Sequence, residues 1–147
     1  PPLIGWTAVT GHVGWEPLVL FLIIFFWTPP HTWALSFRYR EDYKAAGVPM
    51  LPVIKEAPEV AVQILVYTVA TVAISLVLWP VAQMGWVYGG VAVLAGAVFI
   101  FEAIQLLRRA NAGLRDALLK PMRLFHWSNT YLSLLFLAIA IDPLIHL

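Results

Sequence analysis

Glu16-Pro-Leu-Val-Leu-Phe-Leu-Ile-Ile-Phe-Phe-Trp-Thr-Pro-Pro-His-Thr-Trp-Ala-Leu-Ser-Phe37, followed at once by Arg38-Tyr-Arg-Glu-Asp-Tyr-Lys44, decides the fold. Between Glu16 and Arg38 no residue carries a formal charge, and then seven residues carry five. A helix rising 1.5 Å per residue needs about 20 apolar residues to cross ~30 Å of hydrocarbon, and this run has them. Lipid offers the backbone no hydrogen-bond partners, so a stretch of this length must bond within itself as a helix.

Working outward, three more runs qualify: residues 60–79, 86–107 and 124–141 join 16–37. The expected fold is therefore an all-α membrane protein, a single transmembrane domain of four spans. Composition agrees, with 61% hydrophobic residues, 12% charged residues and a mean hydropathy of +0.83. An ordinary soluble domain carries about 25% charge. Cysteine is absent, which excludes disulfides and thiolate metal sites. No basic surface for nucleic acid is expected.

The nine basic residues occupy only two connections. Arg38, Arg40, Lys44 and Lys55 lie in the loop 38–59, and Arg108, Arg109, Arg115, Lys120 and Arg123 in the loop 108–123. By the positive-inside rule both loops face the cytoplasm, or the matrix in an organelle. A multi-pass protein of the bacterial cytoplasmic (inner) membrane is expected. Trp15, Trp79, Trp86 and Trp127 fall near span ends, where interfacial aromatics collect. The opening Pro-Pro-Leu-Ile-Gly-Trp lacks the features of a signal peptide and reads as the continuation of something longer.

Chemistry is expected at the cytoplasmic end. Pro29 and Pro30 remove helix donors within the first span and predict a bend, with His31 at it. If helix resumes, Arg38 falls on the His31 face and Asp42 continues the stripe. Ionisable groups in a membrane bundle usually line a site or a pathway. Alternatively His31 caps a carbonyl or packs at the interface. Arg38, Arg40 and Lys44 beside Glu41 and Asp42 suit a metal diphosphate: carboxylates hold Mg²⁺, cations hold phosphate oxygens. A solvated anchor of mixed charge explains the same cluster.

Gln63, Tyr67, Thr71 and Ser75 form an i+4 series on the second span, and His126, Asn129, Thr130 and Ser133 a stripe on the fourth. Thr71, Ser75 and Ser133 read as interhelical hydrogen-bond glue. Gln63, Tyr67, His126 and Asn129 are candidates for the rim of a cavity shared with His31 and Asp42. On the third span Glu102, Gln105 and Arg109 share a face, which predicts a Glu–Arg pair. Gly85, Gly89, Ala92 and Gly96 permit close helix approach.

With these residues assembled, the chain resembles the protoheme IX farnesyltransferases (heme O synthases), a branch of the UbiA-type intramembrane prenyltransferases. The likeness rests on Pro1-Pro-Leu-Ile-Gly-Trp-Thr-Ala-Val-Thr-Gly11, Trp27-Thr-Pro-Pro-His-Thr-Trp-Ala-Leu35, Arg40-Glu-Asp-Tyr43, Ala46-Gly-Val-Pro-Met-Leu-Pro-Val53 and Met122-Arg-Leu-Phe-His126 through Ser128 and Tyr131. It spans the whole chain and corresponds to the C-terminal half of a nine-helix bundle, with the four spans as its last four.

The resemblance implies transfer of a farnesyl group from farnesyl diphosphate to a vinyl group of heme b, giving heme O and pyrophosphate, with Mg²⁺ as cofactor and a downstream heme A synthase as partner. It implies His31 for heme contact or proton handling, Asp42 with Glu41 for Mg²⁺, and Arg38, Arg40, Lys44 and Tyr43 for the diphosphate. Gln63, Tyr67, Arg123 and His126 join the substrate-binding set, Arg123 and His126 serving heme propionates or anchoring the last helix. The family's first polar motif would lie before Pro1, so these residues alone are expected to be inactive. Glu41-Asp42 also departs from the spaced aspartates of other members. Two further readings remain: a non-catalytic heme- or quinone-binding subunit with His31 or His126 as axial ligand, and a prenyltransferase acting on a quinone precursor.

Overall fold

A computed structural model describes residues 2–114 and 116–145. Arg115, assigned above to the second basic loop, lies outside them. The elements are α1 (Pro2–Thr10), α2 (Trp15–Arg38), α3 (Arg40–Ala45), α4 (Leu51–Ile54), α5 (Ala57–Val81), α6 (Trp86–Asn111), a 3-10 turn (Asp116–Leu119) and α7 (Pro121–Ile145), with no strand among the described residues. Four of them, α2, α5, α6 and α7, are long and apolar enough to cross a membrane, and the chain is a multi-pass membrane protein.

Each span outruns its sequence estimate. Pro58 and Pro121 explain the early starts of α5 and α7, because a ring in the first helical turn sacrifices only an N–H that would be unpaired anyway. The short helix α1 was not expected from the sequence. At the other ends, three helices stop on the same device. Gly47 N–H donates to Lys44 O and Val48 N–H to Tyr43 O; Gly113 and Leu114 repeat the pattern on Ala110 and Arg109. Gly47 and Gly113 supply the left-handed backbone this closure needs, at φ +73° and +86°. The end of α5 closes identically through Gln83 and Met84, with Gln83 held at φ +52° despite its side chain.

The four spans form a closed ring. α2 packs against α5 and α7, and α6 against the same two helices. Ile23, Ile64, Phe99, Tyr131 and Leu135 are buried inside it. Between lipid-bathed helices tight packing carries much of the association, so small residues matter at the contacts. A Cβ added at Gly96 would come within 2.7 Å of Val72 Cγ1, and one at Gly89 would enter the Trp79 indole. These glycines therefore set the α5–α6 approach, as their spacing suggested.

α2 continues as helix through Pro29 and Pro30, so helix does resume at His31 and carries on to Arg38. Thr28 Oγ1 donates to Ile24 O at 2.7 Å on the turn before the prolines. One expectation is corrected in part: Thr71, like Thr68, donates to a carbonyl of its own helix, Tyr67 O and Ile64 O respectively, while Ser75 donates to Val72 O and also meets the Tyr131 side chain of α7. A carbonyl one turn back is within reach of a short hydroxyl side chain. Tyr88 Oη of α6 also donates to Ser75 O, at 2.6 Å. Ser133 is exposed.

Candidate functional site

At Arg38 the backbone leaves the helix. Tyr39 takes φ −109° and ψ 25°, its N–H still bonded to Leu35 O at 3.2 Å, and the chain turns into the short α3. The turn folds the charged segment back over the end of α2. It encloses a cavity of about 310 Å³ lined by Arg38, Tyr39, Arg40, Glu41 and Asp42, with Phe37 and Pro121 as its apolar wall. Four of the charged residues selected from the sequence thus meet at one mouth, roofed by the first residue of α7. The turn also corrects one expectation: Asp42 does not extend the His31–Arg38 helix face, because that helix has ended.

Among the described residues Arg40 Nε is buried without a hydrogen-bond partner. Buried donors are rarely left so, and a guanidinium donor beside an open cavity is chemically suited to an anion. The carboxylates of Glu41 and Asp42 are exposed along the same cavity. Among the described residues no cluster of three or more His, Asp or Glu side chains forms a complete cation cage. Two carboxylates facing an anion site nonetheless fit Mg²⁺, which typically takes one or two carboxylates and completes its shell with phosphate oxygens and water.

His31 lies seven residues before Arg38, about 10 Å deeper along α2. Its ring is flanked by two near-parallel aromatic planes, Trp27 at 4.3 Å and 22° and Phe125 of α7 at 4.6 Å and 25°. Nδ1 is 3.0 Å from Ser128 Oγ. Trp27 Nε1 donates to Ser128 O at 2.8 Å, so one residue of α7 receives two side chains of α2. Sequence reasoning did not identify Ser128 as this partner. A serine among apolar neighbours gives no signal until the register of two helices is known.

The other selected residues are dispersed. Among the described residues, neither Lys44 nor Tyr43 lines the cavity: Lys44 is exposed on α3 and Tyr43 is half-buried. Gln63 is exposed. Tyr67 packs against Phe26 and Trp33, with ring centres 5.9 and 5.5 Å away. His126 and Asn129 are exposed, His126 edge-on to Phe125 at 5.5 Å. Among the described residues the two imidazoles share no ring contact. The expected common rim of Gln63, Tyr67, His126 and Asn129 is therefore not seen around the Asp42 cavity.

The Glu102 expectation is corrected as well. Its Oε1 pairs with Arg123 of α7 at 3.2 Å, while Arg109 Nε donates to Leu119 O at 2.8 Å. Two helical turns separate Glu102 from Arg109, about 10 Å along the axis, whereas Arg123 enters from the neighbouring helix. Arg123 thereby ties α7 to α6, which favours its anchoring role. A second carboxylate went unremarked in the sequence: Asp142, 1% exposed, accepts Gly85 N–H at 2.6 Å and Tyr88 N–H at 3.1 Å, capping α6 from the far end of α7.

Residues 1–129 match the model of the UbiA prenyltransferase family. Three relatives bear the name protoheme IX farnesyltransferase. That of Cutibacterium acnes is 86% identical over 147 residues, all of this chain and 44% of the relative. That of a Nocardioides species is 56% identical over 145 residues, 99% of this chain and 46% of the relative. In Streptomyces coelicolor the identity is 53% over 143 residues, 97% and 45% respectively. The chain thus spans somewhat under half the length of these curated relatives. No solved structure matches it.

Proposed function

Since the chain belongs to the UbiA prenyltransferase family, we propose that the protein it represents transfers a farnesyl group from farnesyl diphosphate to a vinyl group of heme b, with addition of water, releasing pyrophosphate and heme O. One observation carries the reading: the cavity at the end of α2 gathers two guanidiniums and two carboxylates against an apolar wall, next to a helix bundle. The names of the relatives support the same substrate pair.

Ionising an allylic diphosphate leaves negative charge on the departing oxygens. Arg38 and Arg40 answer that charge from fixed positions, which is how preorganised donors lower a barrier. Glu41 and Asp42 would hold Mg²⁺, whose chemistry when bound is to neutralise the diphosphate and stabilise it as a leaving group. Phe37 keeps the inner wall dry, and the allylic carbon would lie inward of the mouth, toward the depth of His31. There the imidazole can contact the heme or accept a proton. Water must be excluded until the new carbon–carbon bond forms, and a lipid-embedded wall provides that.

A cavity of about 310 Å³ is at the small end of ligand sites and suits a diphosphate headgroup, not a porphyrin. Heme b and the isoprenoid tail therefore need walls beyond these residues, and the activity is proposed for the full-length protein. The membrane is the bacterial cytoplasmic one, with both basic loops inside. The bis-histidine subunit is less well supported, because His126 is exposed and shares no ring contact with His31 among the described residues.

The test is heme O formation by the full-length protein from heme b, farnesyl diphosphate and Mg²⁺, read by mass. Asp42→Asn should lower turnover about 100-fold and Arg40→Gln should raise the KM for farnesyl diphosphate, the scale seen when one preorganised charge-stabilising group is lost. Unchanged kinetics in both would remove this cavity from the reaction.

A further inference from the structure

The geometry points to Ser128 as a positioning residue that locks His31 in the tautomer with its proton on Nδ1, presenting Nε2 as an unprotonated edge. The inference rests on the functional reading above for its consequence, but not for its chemistry.

Ser128 Oγ has one proton and two neighbours that can receive it, Phe125 O at 2.6 Å and His31 Nδ1 at 3.0 Å. If His31 carried its proton on Nε2, the Ser128 hydroxyl would have to turn its proton from the 2.6 Å contact with Phe125 O to the 3.0 Å contact with His31 Nδ1, leaving the shorter contact without a hydrogen. With the proton on Nδ1, the imidazole donates to Oγ and Oγ donates to Phe125 O, so both contacts become hydrogen bonds. The proton positions are assigned from these contact lengths, as they must be for any histidine. The shorter of the two distances belongs to the bond that the hydroxyl donates, in keeping with O–H···O geometry.

Three further contacts make the arrangement rigid. Trp27 and Phe125 flank the ring and resist its tilting. Trp27 Nε1 also donates to the carbonyl of Ser128, so stacking partner and hydroxyl are fixed to one another. Among the described residues Nε2 has no hydrogen-bond partner. A neutral imidazole whose far nitrogen is tied down and whose near nitrogen is free is the form that binds a metal or takes a proton, and the group behind it tunes that basicity. Ser128 therefore acts on heme iron or on a proton only through His31.

The experiment uses the full-length protein with ¹⁵N-labelled histidine in lipid, the His31 signals being identified by their loss in His31→Gln. Wild type should show a protonated Nδ1 and an unprotonated Nε2 at His31. Ser128→Ala should shift the population toward the Nε2–H form, and Ser128→Thr, which returns a hydroxyl, should restore the original signals. In the heme O assay, Ser128→Ala should lose roughly tenfold in kcat with the KM for farnesyl diphosphate unchanged, and Ser128→Thr should regain it. An Nε2–H tautomer in wild type, or one unaffected by Ser128→Ala, overturns the assignment. A tautomer shift with unaltered kcat overturns the positioning role. If wild type makes no heme O, the functional reading fails while the nitrogen signals still decide the tautomer.

Discussion

Removing the Asp142 carboxylate should be among the most damaging single changes outside the cavity. Asp142 is buried to 1% and gives one oxygen to Gly85 N–H at 2.6 Å and the other to Tyr88 N–H at 3.1 Å. These are among the N–H groups that the start of α6 cannot satisfy internally. A hydrogen bond to an ionised group contributes about 1.5–3 kcal/mol. Asp142→Asn keeps one acceptor and turns an NH₂ toward the other donor, so it should cost about 2–3 kcal/mol. Asp142→Ala strands both donors and should cost about 3–5 kcal/mol, somewhat below the sum of two bonds because the site can relax. The measurement is SDS-driven unfolding in mixed micelles, followed by fluorescence of the tryptophans. Asp142→Ala within about 0.5 kcal/mol of wild type would refute the reasoning, since a surface change produces no more than that.

Arg123→Gln should destabilise by about 1–2 kcal/mol, because it leaves Glu102 buried without its partner; the loss is moderated because Arg123 is 58% exposed. Adding Glu102→Gln should recover at least half of it in the same titration, and a change in heme affinity without a change in stability would return Arg123 to the substrate. Gln83→Gly should raise the midpoint of thermal unfolding by roughly 1–3 °C, because a residue with a side chain is held at φ +52° where glycine costs nothing sterically.

Most of the fold was legible because its main signal is one-dimensional. A long apolar run must be a helix in lipid, so the four spans needed no knowledge of partners. The ends were misjudged where proline and left-handed closures extended or stopped a helix independently of hydropathy. Among the residues selected from the sequence, Arg38, Arg40, Glu41 and Asp42 share one cavity because they are adjacent in sequence and a turn at Tyr39 keeps them adjacent in space. What escaped depends on the rotation of one helix against another. Glu102 has an arginine on its own helix within electrostatic reach but forms its ion pair with one on α7; Asp142, just beyond the expected end of the last span, caps a different helix.

The seam between α2 and α7 joins the earliest and the latest of the four spans. His31 and Ser128 are 97 positions apart, so during synthesis the imidazole waits for two intervening membrane crossings before its partner exists. Until then it is an unoriented ring on a proline-bearing helix, and the mouth beside Arg38 lacks Pro121 as its roof. Assembly of this seam is thus timed by the ribosome: it cannot form on a half-inserted chain, however early the charged loop is made. Truncations within α7 should consequently yield inserted polypeptides in which the earlier spans stand and the reactive geometry has never been assembled.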